Sequence, residues 1–571
     1  MFPAAFLHPG AIMKLLPVIG ILALLSTLSA FGTGADEANQ AAPPETRPSE
    51  KPVHAERSTE GAVKATEDQV LLSKLTGIAI ATGPEAALKL QSLGQPGVKV
   101  DGFSEIEASA LRTVADRALG QSVSLRTLEA LGTKLEAAMK AGGRPFMHAT
   151  FPDQEITSGI IAVRLCEAHA GRVLISGRPT FGLKFAAKAF RTQPGQPLDE
   201  GTILDDLGWM NENPLRRATI SYADGATPEA LDLTLKLRSA RPWRFYAGID
   251  NQLSDRLGDE RLFAGFQYGD VFGLDHRLTA QITSALDTKR LQGISGSYEV
   301  PLPNRTLLEL SAGYSEVDSP TAGLIDQSGQ FSRIALDYRV PLPRWNGLAH
   351  EWRAGLELRD HHYEFPSGLR REVQFFQIQT GWKGRLADRH GSTRLDASLH
   401  YAPGHGIMGS NNQDFIALGG RSAQSLVAQL EAERTWLLGD PGLLLGRVKA
   451  QWSDSTLLSS DQFAASGATR VRGFDETKGY ADNGLVLTFE WQSPFWHSGE
   501  AGDFQAISFL DAGFLDSHKG NGGSQLASVG VGVRWRLDEH LSAKIDLGVP
   551  IDNPDPEKAC PRLHFSVSTT W

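Results

Sequence analysis

A chain of 571 residues is long enough for several domains, and with 41% hydrophobic and 21% charged residues it is not a disordered polymer. Beyond the first 35 residues no window holds about 18 consecutive apolar residues, which excludes a helical membrane bundle. Two cysteines, Cys166 and Cys560, exclude a disulfide scaffold or a structural zinc site, and 56 basic against 66 acidic residues with no basic block argue against nucleic acid as a partner.

Residues 13–35 read MKLLPVIGILALLSTLSAFGTGA. Lys14 precedes an apolar run from Leu15 to about Leu28 and then small residues, the pattern of a secretory signal peptide, assigned to 1–35. Met13 is an alternative start, and cleavage fits after either Ala30 or Ala35. Residues 36–74 (AAPPETRPSEKP and its flanks) lack the apolar content to bury a core and read as a flexible linker with a weak helical stretch, Thr66–Lys74.

From 75 to 240 the period changes twice in the same order. Leu111, Val114, Ala115, Ala118 and Leu119 are spaced for one helix, and Leu125, Leu128, Leu131, Leu135 and Met139 for a second that closes at Gly142-Gly143. Two strands follow, and an extra strand is expected at Leu75–Ala81. A second round starts at Arg172, passes through helical stretches near 182–190 and 199–211, and ends with Leu231, Leu233, Leu235 and Leu237 in strict alternation. The expectation is two tandem α+β modules, 75–170 and 171–240, whose sheet edges can pair with an extended peptide.

From 241 to 571 only period 2 remains. Sixteen segments alternate, near 243–251, 260–270, 275–286, 289–302, 304–316, 330–341, 350–361, 371–383, 392–402, 423–437, 441–453, 483–493, 504–514, 526–537, 540–549 and 562–571. The count is even, and tight connections alternate with longer ones, the longest being 454–482. Tyr268, Tyr298, Tyr338, Trp382, Trp436, Trp491, Trp535 and Trp571 fall near the ends of even segments, with Trp243 and Trp352 at the starts of odd ones, which predicts one interfacial aromatic girdle. These features specify a closed barrel of 16 antiparallel strands across an outer membrane, its outer face against lipid. The opposite face carries Arg333, Asp337, Arg339, Glu357, Arg359, Glu431, Glu433, Arg447, Lys449, Arg534, Lys544 and Asp546, so the lumen is expected to be wide and hydrated.

Together these parts resemble the outer-membrane transporters of two-partner secretion, the haemolysin secretion/activation family (TpsB type, ShlB/FhaC/HecB), within the POTRA-plus-barrel insertase superfamily. The resemblance covers nearly all of the chain after the signal. It rests on Pro152, Gln154 and Gly159 in the run PDQEITSG of the first module, and on Asn211–Arg216 and Pro242-Trp243-Arg244 on the approach to the barrel. Its most specific element is Val471-Arg472-Gly473-Phe474 in the long connection, followed one strand later by Phe509, Asp511 and Gly513 in FLDAG. Parity agrees: if Leu510, Ala512 and Phe514 face lipid, Phe509, Asp511 and Gly513 face the lumen, where Asp511 can accept a bidentate bond from Arg472.

The resemblance implies two periplasmic POTRA (polypeptide-transport-associated) domains and a loop folded back into the lumen. It also implies transport of an unfolded exoprotein partner, TpsA-like and β-helical, through the barrel to the surface. The last strand, with Phe565 and Trp571, is similar to the signal read by the barrel assembly machinery. The sequence departs from the family at Gly143-Arg144-Pro145-Phe146, at Cys166-Glu167-Ala168, and in having only the Thr66–Lys74 stretch where members often carry a plug helix. Alternative functions are an insertase that assembles other barrels and a passive pore or surface structural barrel. No phosphate loop, H-E-x-x-H or G-x-S-x-G motif occurs, so no enzyme activity, cofactor or metal is expected, and His361-His362 is expected to be a solvated pair in an extracellular loop.

Overall fold

The computed structural model describes residues 56–57 and 70–571, apart from 178–180, 228, 240, 254–256, 319–327, 366–367, 407–408, 440–441, 477, 519–522 and 553–559. The expected signal peptide and most of the linker lie outside the described residues. Of the helical stretch expected at 66–74, the described part is not helical. Instead the Leu71 and Leu72 amides donate to the Val123 carbonyl (2.7 and 3.2 Å). Two compact units follow, within Ser49–Arg241 and Pro242–Trp571.

The first unit contains two sheets. A two-residue strand β1 (Glu56–Arg57) comes first in sequence; then β2 (Gly77–Ala81), α1 (Pro84–Ser92), β3 (Gly97–Asp101), α2 (Glu105–Asp116), α3 (Leu125–Ala141), β4 (Met147–Thr150) and β5 (Ile160–Glu167) build a sheet of order β3-β2-β5-β4. Ser104 and Glu107 open α2 with a capping box, and the Ser104 hydroxyl holds the Glu107 carboxyl below its usual range. Gly143, at φ 90°, lets the Arg144 amide reach back to the Met139 carbonyl (3.0 Å) and ends α3. Leu111, Leu135 and Met139 of the helices bury against Ile78, Ile80, Ile161 and Val163. Two elements, α1 and β3, are additional to the expected order. The buried face of α1 is Ala87 against Ala81 and Ala162, too small a stripe to stand out as an apolar period.

The second sheet takes β6 (His169–Gly177), α4 (Leu183–Ala189), α5 (Glu200–Met210), β7 (Arg217–Asp224) and β8 (Ala230–Arg238) in the order β1-β7-β8-β6. Only Ala168 separates β5 from β6, and Phe146 meets Tyr222 edge-on at 5.8 Å between the two modules. Burial pushes the Cys166 thiol up, which marks it as an inert core thiol.

The second unit is a closed barrel. Its long strands are β9 (Trp243–Asp250), β10 (Arg261–Val271), β11 (His276–Ala285), β12 (Leu291–Pro301), β13 (Leu307–Val317), β14 (Ser328–Trp345), β15 (Leu348–Glu364), β16 (Arg370–Asp388) and β17 (Gly391–Pro403). A short helix α6 (Asn412–Ala417) precedes β18 (Gln424–Leu437) and β19 (Leu443–Ser453). A two-strand ribbon, β20 (Phe463–Ala464) with β21 (Tyr480–Ala481), lies in the long connection. The wall resumes with β22 (Asn483–Gln492), the short β23 (Trp496–His497), β24 (Asp503–Asp516), β25 (Ser524–Arg536), β26 (Leu541–Asp552) and β27 (Arg562–Thr570). All sixteen long strands pair antiparallel with their neighbours, and Ser566–Thr570 closes the ring against Asp250–Tyr246. Among the described residues no helix is long and apolar enough to cross a membrane.

Alternation sorts the side chains. Ile282, Leu356, Leu358, Phe489, Leu510, Val531 and Leu547 are exposed on the outer face. Inward charges pair across strands: Arg261 with Asp250 (2.9 Å), Arg277 and Arg339 with Glu299 (2.6 and 2.9 Å), Arg447 with Glu433 (2.7 Å). Two expectations need correction. Tyr298 is not an exposed girdle residue: it is 1% exposed and its hydroxyl bonds His276 Nδ1 at 2.8 Å. His361 and His362 are not in a loop, because β15 runs on to Glu364, with His361 buried among Phe331, Tyr363 and Phe375.

Candidate functional site

Residues 454–482 leave β19 and re-enter the wall at β22, but their middle folds into the lumen. The β20–β21 ribbon narrows the loop, the Ala465 amide donates to the Gly479 carbonyl (2.9 Å), and the Val471 amide turns back to the Ala465 carbonyl (3.0 Å). The base of the tip therefore carries its own backbone hydrogen bonds, while the Arg472 and Gly473 amides at its end turn to side chains of the barrel wall. Val471 and Phe474 pack with Ala465, Ala481, Val486, Leu515 and Leu526 in a small apolar cluster against the inner wall.

Arg472 is the centre of the site. Its Nε donates to Asp511 Oδ2 at 2.8 Å and its Nη2 to Asp511 Oδ1 at 3.0 Å, a bidentate fork. Nη1 donates to Glu490 Oε2 at 2.6 Å and stands 3.7 Å from Asp546 Oδ2. The Arg472 backbone amide also reaches Asp511 Oδ2, at 3.2 Å. The guanidinium lies over the Phe509 ring, 3.4 Å from its centroid. Asp511 is fully buried, and Arg472 is 5% exposed. Arg534 shares Asp546 through a second fork (2.5 and 2.9 Å), so three carboxylates face two guanidinium groups here.

Glycine permits this approach at two points. Gly473 has φ 90°, and a Cβ there would lie 2.8 Å from the Gly548 carbonyl carbon of β26. Its amide donates to His564 Nε2 at 3.1 Å. A Cβ on Gly513 would meet Val471 Cγ2 at 3.0 Å. The outer limb of the loop is tied separately: Asp461 pairs with Arg359 of β15, while Asp482 accepts from the Leu457 amide (2.8 Å) and the His518 amide (3.0 Å).

All of Val471, Arg472, Gly473, Phe474, Phe509, Asp511 and Gly513 thus meet in one place. Sequence reasoning missed Glu490, His564 and Gly548 as partners. Their inward parity is readable, but which of them share a level with Asp511 depends on strand register. Pro152, Gln154 and Gly159 lie elsewhere and build the first module. The Gln154 amide accepts from the Ala162 amide (2.5 Å) and donates to the Ala162 and Pro152 carbonyls (2.8 and 3.2 Å), extending the sheet past the last β4–β5 pair, Thr150 with Arg164. Gly159, at φ 79°, accepts the Thr76 amide (2.8 Å). Trp571 exchanges backbone bonds with Phe245 (2.9 and 3.2 Å) while the residue stays 54% exposed, and the Phe565 amide donates to Asn251 Oδ1 (2.8 Å).

The haemolysin secretion/activation protein family ShlB/FhaC/HecB matches residues 230–535, and the ShlB-type POTRA domain matches residues 96–168. The chain is 24% identical over 438 residues to the outer membrane transporter CdiB-2 of Burkholderia pseudomallei, covering 73% of each. It is 22% identical over 517 residues to the heme/hemopexin transporter protein HuxB of Haemophilus influenzae, covering 83% of this chain and 86% of that one. The fold is similar to that of CdiB from Escherichia coli, with a TM-score of 0.64 at 17% identity over 100% of both chains. The chain belongs to the ShlB/FhaC/HecB family of haemolysin secretion/activation proteins, outer-membrane transporters of two-partner secretion whose POTRA domains lie in the periplasm.

Proposed function

We propose that the POTRA sheets hold an extended exoprotein of the TpsA type, a β-helical protein once folded, and that the loop 454–482 gates its passage through the lumen. The observation that carries this reading is the loop itself, which lies inside the barrel on an ionic anchor at Arg472. A gate must be both held and releasable, and a set of charge-assisted bonds can be exchanged for other polar partners, which a packed apolar plug cannot. No nucleotide step is needed, since folding of the exoprotein outside prevents its return.

Capture is best supported at β6. Among the described residues it is the edge strand of the second sheet, occupied at its start where Ala170 bonds Gln196 and Gly195, and Leu174 and Ile175 are exposed farther along it. An edge with free backbone groups and apolar side chains can add an extended strand of the exported chain. The test is co-expression with the exoprotein, following its arrival at the cell surface. Leu174→Glu with Ile175→Glu is expected to lower surface exoprotein several-fold while the assembled barrel stays at its normal amount. Unchanged secretion would remove β6 from the capture role.

A further inference from the structure

Strands β14, β15 and β16 are the longest in the barrel, with 18, 17 and 19 residues. On one side β17 pairs with β16 only from Ile378 onward, whereas β15 stays paired with β16 as far as Glu364 opposite Arg370. The outward-facing pairs along this projecting hairpin run Leu356 with Ile378, Leu358 with Phe376, Asp360 with Gln374 and His362 with Glu372. Leu356, Leu358 and Ile378 belong to the exposed apolar band. The band ends between Leu358 and Asp360, and the next two levels are polar, at the height where lipid tails give way to headgroups.

At that boundary His362 stands between two carboxylates. Its Nδ1 is 3.7 Å from Asp360 Oδ1 and its Nε2 is 3.6 Å from Glu372 Oε2. One ligand atom from each of the three residues lies within 4.8 Å of the others, and among the described residues no other group of His, Cys, Asp and Glu does this. Asp360 Oδ1 is shielded from solvent and has no hydrogen-bond partner, although it lies on the outer surface of the barrel. The backbone beneath is a paired antiparallel ladder, so the three Cα positions are fixed and only side-chain rotation is needed to converge. Ligands on a tetrahedral dication stand about 3.3 Å apart when the bonds are about 2.0–2.1 Å. An imidazole offers one nitrogen to one ion, so closure requires one carboxylate to swing toward the nitrogen that the other already faces. His362 and Glu372 are both about half exposed, which leaves room for that swing.

We propose that Asp360, His362 and Glu372 form a binding site for a borderline d-block dication of the Zn2+ class, clipping β15 to β16 where the hairpin leaves the lipid. One imidazole nitrogen with two carboxylates, and a fourth position open to water, suits such an ion; Ca2+ and Mg2+ favour all-oxygen shells with more ligands. The two carboxylates balance the ion's charge without help from the protein interior.

The full-length protein, untagged, purified in detergent and stripped with a chelator, is titrated calorimetrically with ZnCl2, with heat-dependent gel mobility as the check on folding. The expected result is one Zn2+ per chain, at least about tenfold weaker binding in His362→Gln and in Glu372→Gln, and no change in His497→Gln, whose imidazole faces the single carboxylate of Asp503. Three results would each overturn the site: no Zn2+ uptake by the unaltered protein, equal affinity in His362→Gln, or Ca2+ bound as tightly as Zn2+, which would reduce the cluster to a patch of surface acid.

Discussion

Arg472 brings one positive charge to Asp511, Glu490 and Asp546, and this unequal arrangement decides what each substitution does. Arg472→Ala takes a shared cation from three carboxylates, one of them fully buried, and leaves Arg534 paired with Asp546. Removing one member of a buried pair costs about 3–5 kcal/mol, less where water enters. Asp511→Ala still leaves Arg472 its 2.6 Å bond to Glu490. Exoprotein secretion is therefore expected to fall furthest in Arg472→Ala, less in Asp511→Ala, and no further in the double variant than in Arg472→Ala alone. Barrel amount should stay constant throughout, since the wall's backbone pairing does not involve these side chains. Fully additive losses in this double-mutant cycle, scored as surface exoprotein, would mean that the two residues do not act as one lock. Much of this site is readable in the sequence: VRGF sits in the longest connection, and parity alone turns Phe509, Asp511 and Gly513 inward. The third dimension is not. Thr488, not Glu490, stands opposite Asp511 across β22 and β24, and the Gly473–Gly548 approach joins residues 75 positions apart.

At the scale of elements, Gln154 stands in for the missing next residue of β4. Its amide satisfies both the N–H and the C=O of Ala162 in the middle of β5, a strand buried along most of its length. Gln154→Leu keeps the bulk and leaves two buried backbone groups without partners, at about 1–3 kcal/mol each. Amide exchange measured on the intact protein should rise by roughly tenfold or more for the β5 segment 160–163, with the barrel strands unaffected. No change there would show that water or Gln91 replaces the clamp. The elements that escaped the sequence share a physical cause. Strand β3 is a five-residue edge with half-buried residues, and α1 packs on alanines, so neither gives the strong period that marks α3 or the barrel strands. The excess length of β14–β16 escaped at both ends: polar His362 and Glu364 read as loop where β15 runs past the apolar band, and Leu342–Trp345 and Gly384–Asp388, broken by Pro343, Arg344 and Arg385, read as connections at the other end.

For the whole molecule, the barrel is most legible because lipid outside and water inside impose opposite chemistries on alternate residues, strand after strand. Closure is the part that alternation cannot specify, and it falls to β27. Its main chain meets β9 through Ser566–Thr570, and Trp571 adds one more exchange of backbone bonds with Phe245. Those last bonds are made by backbone atoms, so they persist in Trp571→Ala. Trp571 as a residue is 54% exposed, and loss of its indole removes only part of one side chain's contact with lipid or headgroups. The finished barrel is therefore expected to lose little stability. If Phe565 and Trp571 serve as the signal by which the assembly machinery engages the last strand, Trp571→Ala acts before closure, on the rate of assembly, rather than after it. Two measurements separate the stages. The amount of folded, heat-modifiable protein in the outer membrane should fall several-fold. The temperature at which the surviving folded protein loses its compact mobility in detergent should move by no more than a few degrees. A large drop in that temperature would make Trp571 a structural residue of the seam, and an unchanged amount would remove it from recognition altogether.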